Sequence, residues 1–88
     1  MMAIMFFAYK ELSEEEEEQA GKEWDELLEK LPEGIEITTV DHAFGTEYNG
    51  FLIIEAADFQ TYLRFWKSLK DDIRWYVSRT RTIIGTER

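Results

Sequence analysis

Tyr48-Asn-Gly-Phe-Leu-Ile-Ile-Glu-Ala-Ala-Asp-Phe-Gln-Thr-Tyr-Leu-Arg-Phe-Trp66 divides into three parts: a turn, an apolar strand and a capped helix. Asn49-Gly50 is a strong hairpin signal. Residues 51–57 are apolar at odd and even positions alike, except for Glu55, as expected of a strand covered on both faces. Asp58 is a favoured N-cap residue. After it, Phe59, Tyr62, Leu63, Trp66, Leu69 and Ile73 recur at helical spacing and predict a second helix with a wide apolar stripe.

Working back from this unit, residues 35–44 begin with alternation and predict a strand with one wetter face. Ile35, Ile37 and Thr39 share one side; Glu36, Thr38, Val40, His42 and Phe44 share the other. Two connections to the next strand compete, a tight turn at Asn49-Gly50 and a wider loop starting at Gly45. Residues 3–10 are again apolar on both faces and predict a second doubly covered strand. Between these strands, Ser13 followed by Glu16 fits a capping box, and Glu14 to Glu18 sit where a helix dipole favours negative charge. Ala20, Trp24, Leu27, Leu28 and Leu31 form the apolar stripe of that helix, which Pro32 and Gly34 end. Gly21 inside it costs about 1 kcal/mol relative to alanine, and marks either a close backbone contact or a loose first turn. Downstream, residues 75–84 are β-branched and aromatic and predict a last strand, with 85–88 as a tail.

The order is βαββαβ over a single domain spanning 1–88, an α+β chain of ferredoxin-like type. It should form a four-stranded antiparallel sheet with its first and third strands central. Right-handed crossovers put both helices on one face of the sheet. Apolar residues on the other face then call for a second copy of the chain as a lid, and so a homodimer.

Composition narrows the function classes. With 44% hydrophobic and 15% aromatic residues among 88, the chain is that of a folded domain. Lysines and arginines number 3 against 13 acidic residues in 1–44, and 7 against 6 in 45–88, for a net charge of -9. That balance offers no basic face to a phosphate backbone, so no nucleic-acid partner is expected. The absence of cysteine excludes disulfides and thiolate chemistry. The apolar run at residues 2–8 is too short to span a bilayer and has no signal-peptide leader, so a cytoplasmic protein without a membrane partner is expected.

Few residues are candidates for chemistry. His42, the only histidine, titrates near neutrality and would serve as a base if it faced an enclosed space; otherwise it is a strand-end histidine. Glu55, the one charge in its strand, would become an acid or base if desolvated, unless it reaches solvent or an arginine. Arg79 and Arg81 share one side of the last strand, where they would hold a carboxylate or protect a sheet edge. Tyr48, Trp75, Phe44 and Phe51 would line an aromatic pocket or pack a dimer core. No serine has a local histidine, one histidine without cysteine does not make a zinc site, and Gly45 to Gly50 lacks the Gly-Lys of a phosphate loop. The run of five glutamates sprays around a helix and does not converge on a cation.

This pattern resembles the dimeric α/β-barrel superfamily over nearly the whole chain. The segment 42–77, with Gly50-Phe51, Ile54-Glu55-Ala56, Asp58, Arg64-Phe65, Asp71, Trp75 and Val77, looks like the uncharacterised DUF3303 family. It is also similar to the ligand-sensing domain of the Lrp/AsnC regulators, although Asn49 stands where that family has aspartate. The resemblance implies two sheets packed face to face around a central space. A homodimeric module holding a small apolar or carboxylate ligand between the sheets is the first expectation, with no cofactor. Two alternatives stand beside it. One is a cofactor-independent monooxygenase or isomerase using His42 or Glu55 as base and Arg79 or Arg81 to hold an anion. The other is an interaction protein with a filled barrel.

Overall fold

In the computed structural model, which describes residues 1–88, the chain runs β1 (Met2–Tyr9), α1 (Glu14–Glu29), β2 (Ile35–Val40), β3 (Gly50–Ala56), α2 (Phe59–Ile73) and β4 (Val77–Gly85). The strands form one antiparallel sheet in the order β2-β3-β1-β4, with β1 and β3 central as their two-sided apolar character requires. Both helices cover one face and leave the other open, giving a slab of 40 × 30 × 17 Å.

Register assigns each side chain to a face. Met5 pairs with Leu52 and Thr82, so Ala3, Met5 and Phe7 of β1 and Leu52, Ile54 and Ala56 of β3 look toward the helices. These six residues are buried. The alternate residues Ile4, Phe6, Phe51 and Ile53 lie on the open face and are half exposed.

The helices are not equally anchored. α2 buries Tyr62, Phe65, Leu69 and Ile73, and Phe65, Leu69 and Ile73 each contribute on the order of 1.5–3 kcal/mol of apolar burial. α1 buries only Ala20, and Trp24, Leu27, Leu28 and Leu31 are half exposed. Its start is set by the capping box: the Glu16 N–H donates to Ser13 Oγ at 3.2 Å and the Ser13 N–H to Glu16 Oε1 at 3.0 Å. Two indole hydrogen bonds tether its middle, from Trp24 Nε1 to Thr39 Oγ1 at 3.3 Å and from Trp75 Nε1 to Glu23 Oε1 at 3.0 Å.

Four expectations are corrected. β2 stops at Val40, so His42 and Phe44 are not on a strand, and Phe44 is 97% exposed. The connection is the wide kind but begins earlier than Gly45, because Asn49 is consumed in stitching the loop to β1: its N–H donates to the Phe7 carbonyl at 2.8 Å, and its Oδ1 accepts the Tyr9 N–H at 2.8 Å. Trp75 precedes β4, in a turn at 74–76. The buried stripe of α2 passes through Phe65, and Phe59 is 52% exposed, because the helix is rotated toward β3 and β2.

Candidate functional site

The weak anchoring of α1 leaves a cleft between that helix and the helix-bearing face of the sheet, with a volume of about 610 Å³. Its floor is Met5, Phe7 and Leu52, its far wall Tyr76, and its roof the α1 face carrying Ala20, Gly21 and Trp24. Glu17, Ala20, Gly21, Trp24 and Asp25 all border it, at the spacing of a single helix face. Gly21 is therefore explained: a Cβ there would meet no atom within 4 Å, so the glycine marks an open space and not a close backbone contact.

The mouth is built by the start of the loop after β2. Tyr9 donates its hydroxyl hydrogen to Asp41 Oδ2 at 3.1 Å, and the His42 N–H donates to Asp41 Oδ1 at 2.8 Å, fixing that carboxylate from both sides. Burial first, then the Asp41 charge and hydrogen bond, push the Tyr9 hydroxyl far above its ordinary range, so it remains a donor at physiological pH. Burial, with Glu23 and Asp72 behind it, raises Tyr76 to about 12. His42 itself is in the left-handed region, φ 54, a conformation that costs a side-chain-bearing residue about 1–2 kcal/mol.

The candidates distribute over four places. His42 lies at the cleft mouth, beside Tyr9 and Asp41, which the sequence did not single out. Tyr48, Arg79 and Arg81 gather on the opposite, open face, with the Arg79 guanidinium 5.3 Å over the Tyr48 ring and Tyr48 5.7 Å from Phe6. Glu47 joins this cluster. Its carboxyl is held below the usual range by its own backbone N–H and the Thr46 hydroxyl, with smaller help from Arg79 and Arg81. Glu55 is exposed near the end of β3, opposite Glu36 of β2 and paired with no arginine. Trp75 packs edge-on against Tyr76 at 5.0 Å and holds α1 through Glu23, so its role is to brace the helix.

No titratable side chain is buried apart from the tyrosines, and no group of three or more His, Asp or Glu is placed to hold a metal ion. No helix is long and apolar enough to cross a membrane. His42 and the two arginines Arg79 and Arg81 therefore stand on opposite sides of the sheet within one chain. Tyr9 and Asp41 were hidden in the sequence, because their contact joins positions 32 residues apart. Gly21, a helix-interior glycine with no local reason, was the available signal.

No family model matches the chain, and no curated protein matches it, so the likenesses to DUF3303 and to the Lrp/AsnC domain rest on their short motifs alone. Among solved structures, the chain is similar to a dabb family protein with a ferredoxin-like fold from Mesorhizobium loti. The TM-score is 0.69 at 16% identity, covering 98% of this chain and 96% of that one. At that identity the likeness establishes the fold.

Proposed function

We propose that the chain is a small-ligand-binding module that acts as a homodimer, each copy holding its ligand in the cleft under α1. The carrying observation is the cleft itself, whose volume of about 610 Å³ falls in the range of roughly 300–1,000 Å³ typical of small-molecule sites. Its apolar floor with a few fixed polar groups at the mouth is the usual division of labour in such sites. On this reading the ligand lies on the helix-bearing side of the sheet, opposite to the space between two sheets. The open face, apolar at Ile4, Phe6, Phe51 and Ile53, is left for a second copy.

A binding role is preferred to a catalytic one because His42 has no anion-holding partner beside it, Arg79 and Arg81 being across the sheet. The test is native mass spectrometry of the purified protein, followed by an NMR titration with indole as probe. Shifts at Phe7, Gly21 and Leu52 are expected. Shifts confined to Ile4, Phe6 and Ile53 would move the ligand to the open face and overturn the reading.

A further inference from the structure

We infer that the cleft under α1 selects small organic cations, an aromatic or alkyl ammonium in particular. The inference rests on the cleft being the ligand site and adds the chemical class it takes. Four aromatic side chains, Phe7, Tyr9, Trp24 and Tyr76, border the space. Aromatic faces attract a cation through their quadrupole, most strongly where water is excluded. Tyr9 stands at the mouth beside Asp41, so an aromatic ring and a carboxylate border the same space there.

The charges bordering the cleft point the same way. Three carboxylates, Glu17, Asp25 and Asp41, border the cleft against one lysine, Lys10. Glu17 and Asp25 are carried on the helical roof, one turn to either side of Gly21. Asp41 is held in place by Tyr9 and the His42 N–H, so its charge is aimed without a further ordering cost when a ligand arrives. The acidity of the whole chain, -9, adds a long-range field that draws cations and repels carboxylates. The absent side chain at Gly21 provides the room: an apolar body fits between Phe7 and the roof while its ammonium group remains at the mouth.

Three phenyl-bearing probes of similar size separate the possibilities: 2-phenylethylammonium, 2-phenylethanol and phenylacetate, titrated at pH 7 against the unmodified protein by NMR. The ammonium should bind about tenfold more tightly than the alcohol, with phenylacetate weakest. Gly21→Leu, which fills the cleft without removing a contact, should block all three. Asp41→Asn removes the charge, keeps one acceptor oxygen where the carboxylate has two, and should lower the preference for the ammonium over the alcohol at least severalfold. Should Asp41→Asn loosen the loop, Glu17→Gln with Asp25→Asn, both on exposed helix surface, must lower that preference at least severalfold. If the alcohol binds, Gly21→Leu blocks it and the ammonium shows no advantage, the charge inference falls while the cleft remains the ligand site. Failure of all three probes to shift the cleft residues would overturn both.

Discussion

At His42 two kinds of constraint meet in one residue. Its backbone turns the chain out of β2 in the left-handed region, and its N–H holds the carboxylate at the cleft mouth. A β-branched replacement tolerates that φ poorly, so His42→Val should lower stability by about 1–2 kcal/mol. His42→Gly removes the strain but adds freedom to the unfolded chain and should stay within about 0.5 kcal/mol of the original. Urea denaturation measures both; equal losses in the two variants would mean the imidazole itself supplies the stability. Gly50 shows the opposite kind of constraint. A Cβ there would run into the Val40 carbonyl and stand 2.6 Å from the Phe7 ring, so this glycine is demanded by close strand packing. Its place beside Asn49 is a hairpin signal in sequence, yet the structure uses it for crowding, because the turn lies further upstream.

The helices differ in what they need. α2 is secured by its buried side chains, α1 by its cap and a few contacts, and the cleft exists because of that difference. Gly21→Ala should therefore raise stability by about 1 kcal/mol through helix propensity, since the new methyl meets nothing. Thermal unfolding reads the gain; a loss would show that α1 needs flexibility at this turn. The cap of α2 introduces a pH dependence. The Thr61 N–H donates to Asp58 Oδ1 at 2.7 Å, and this backbone bond, before all other causes, holds the Asp58 carboxyl below its ordinary 3.8. A depressed folded-state value means the contribution is fully present above 3.8 and is lost as pH falls through the lower, folded-state value. Asp58→Asn keeps the cap oxygen but cannot titrate, so its stability should fall less steeply than that of the unmodified protein below about pH 4. Identical acid profiles from chemical denaturation would reject the assignment.

For the whole molecule, the open face is where the proposed second copy would dock. Glu36 and Glu55 pair across β2 and β3 at one corner of that face, while Arg79 and Arg81 line β4 toward the diagonally opposite corner. A two-fold axis lying in the interface along the other diagonal would set the arginines of one copy over the glutamates of its partner, with Ile4, Phe6, Phe51 and Ile53 between them. Reversing Glu36 and Glu55 to arginine should weaken the dimer at least tenfold in sedimentation equilibrium, and adding Arg79→Glu with Arg81→Glu should restore it. A mass of one chain at micromolar concentration for the unmodified protein would dispose of the arrangement.

How much of this was legible follows from the range of the interactions involved. The capping box at Ser13, the cap at Asp58 and the two-sided strands β1 and β3 are local patterns, and with the handedness of crossovers they suffice for βαββαβ and its sheet order. The end of β2 is not legible in the sequence, because alternation continues through His42 and Phe44 while Asn49, bonded to β1, pulls the chain away. Phe65 was missed in α2 because several apolar stripes fit that helix, and only docking on the sheet selects one. By itself, the sequence determined the order, identity and caps of the elements, since these depend on neighbours a few residues away. Only the tertiary structure decided where α1 stands off the sheet, that Tyr9 reaches Asp41 there, and that His42 and the two arginines face opposite ways. Those outcomes depend on how far one packed layer lets another approach, a property that no stretch of chain carries alone.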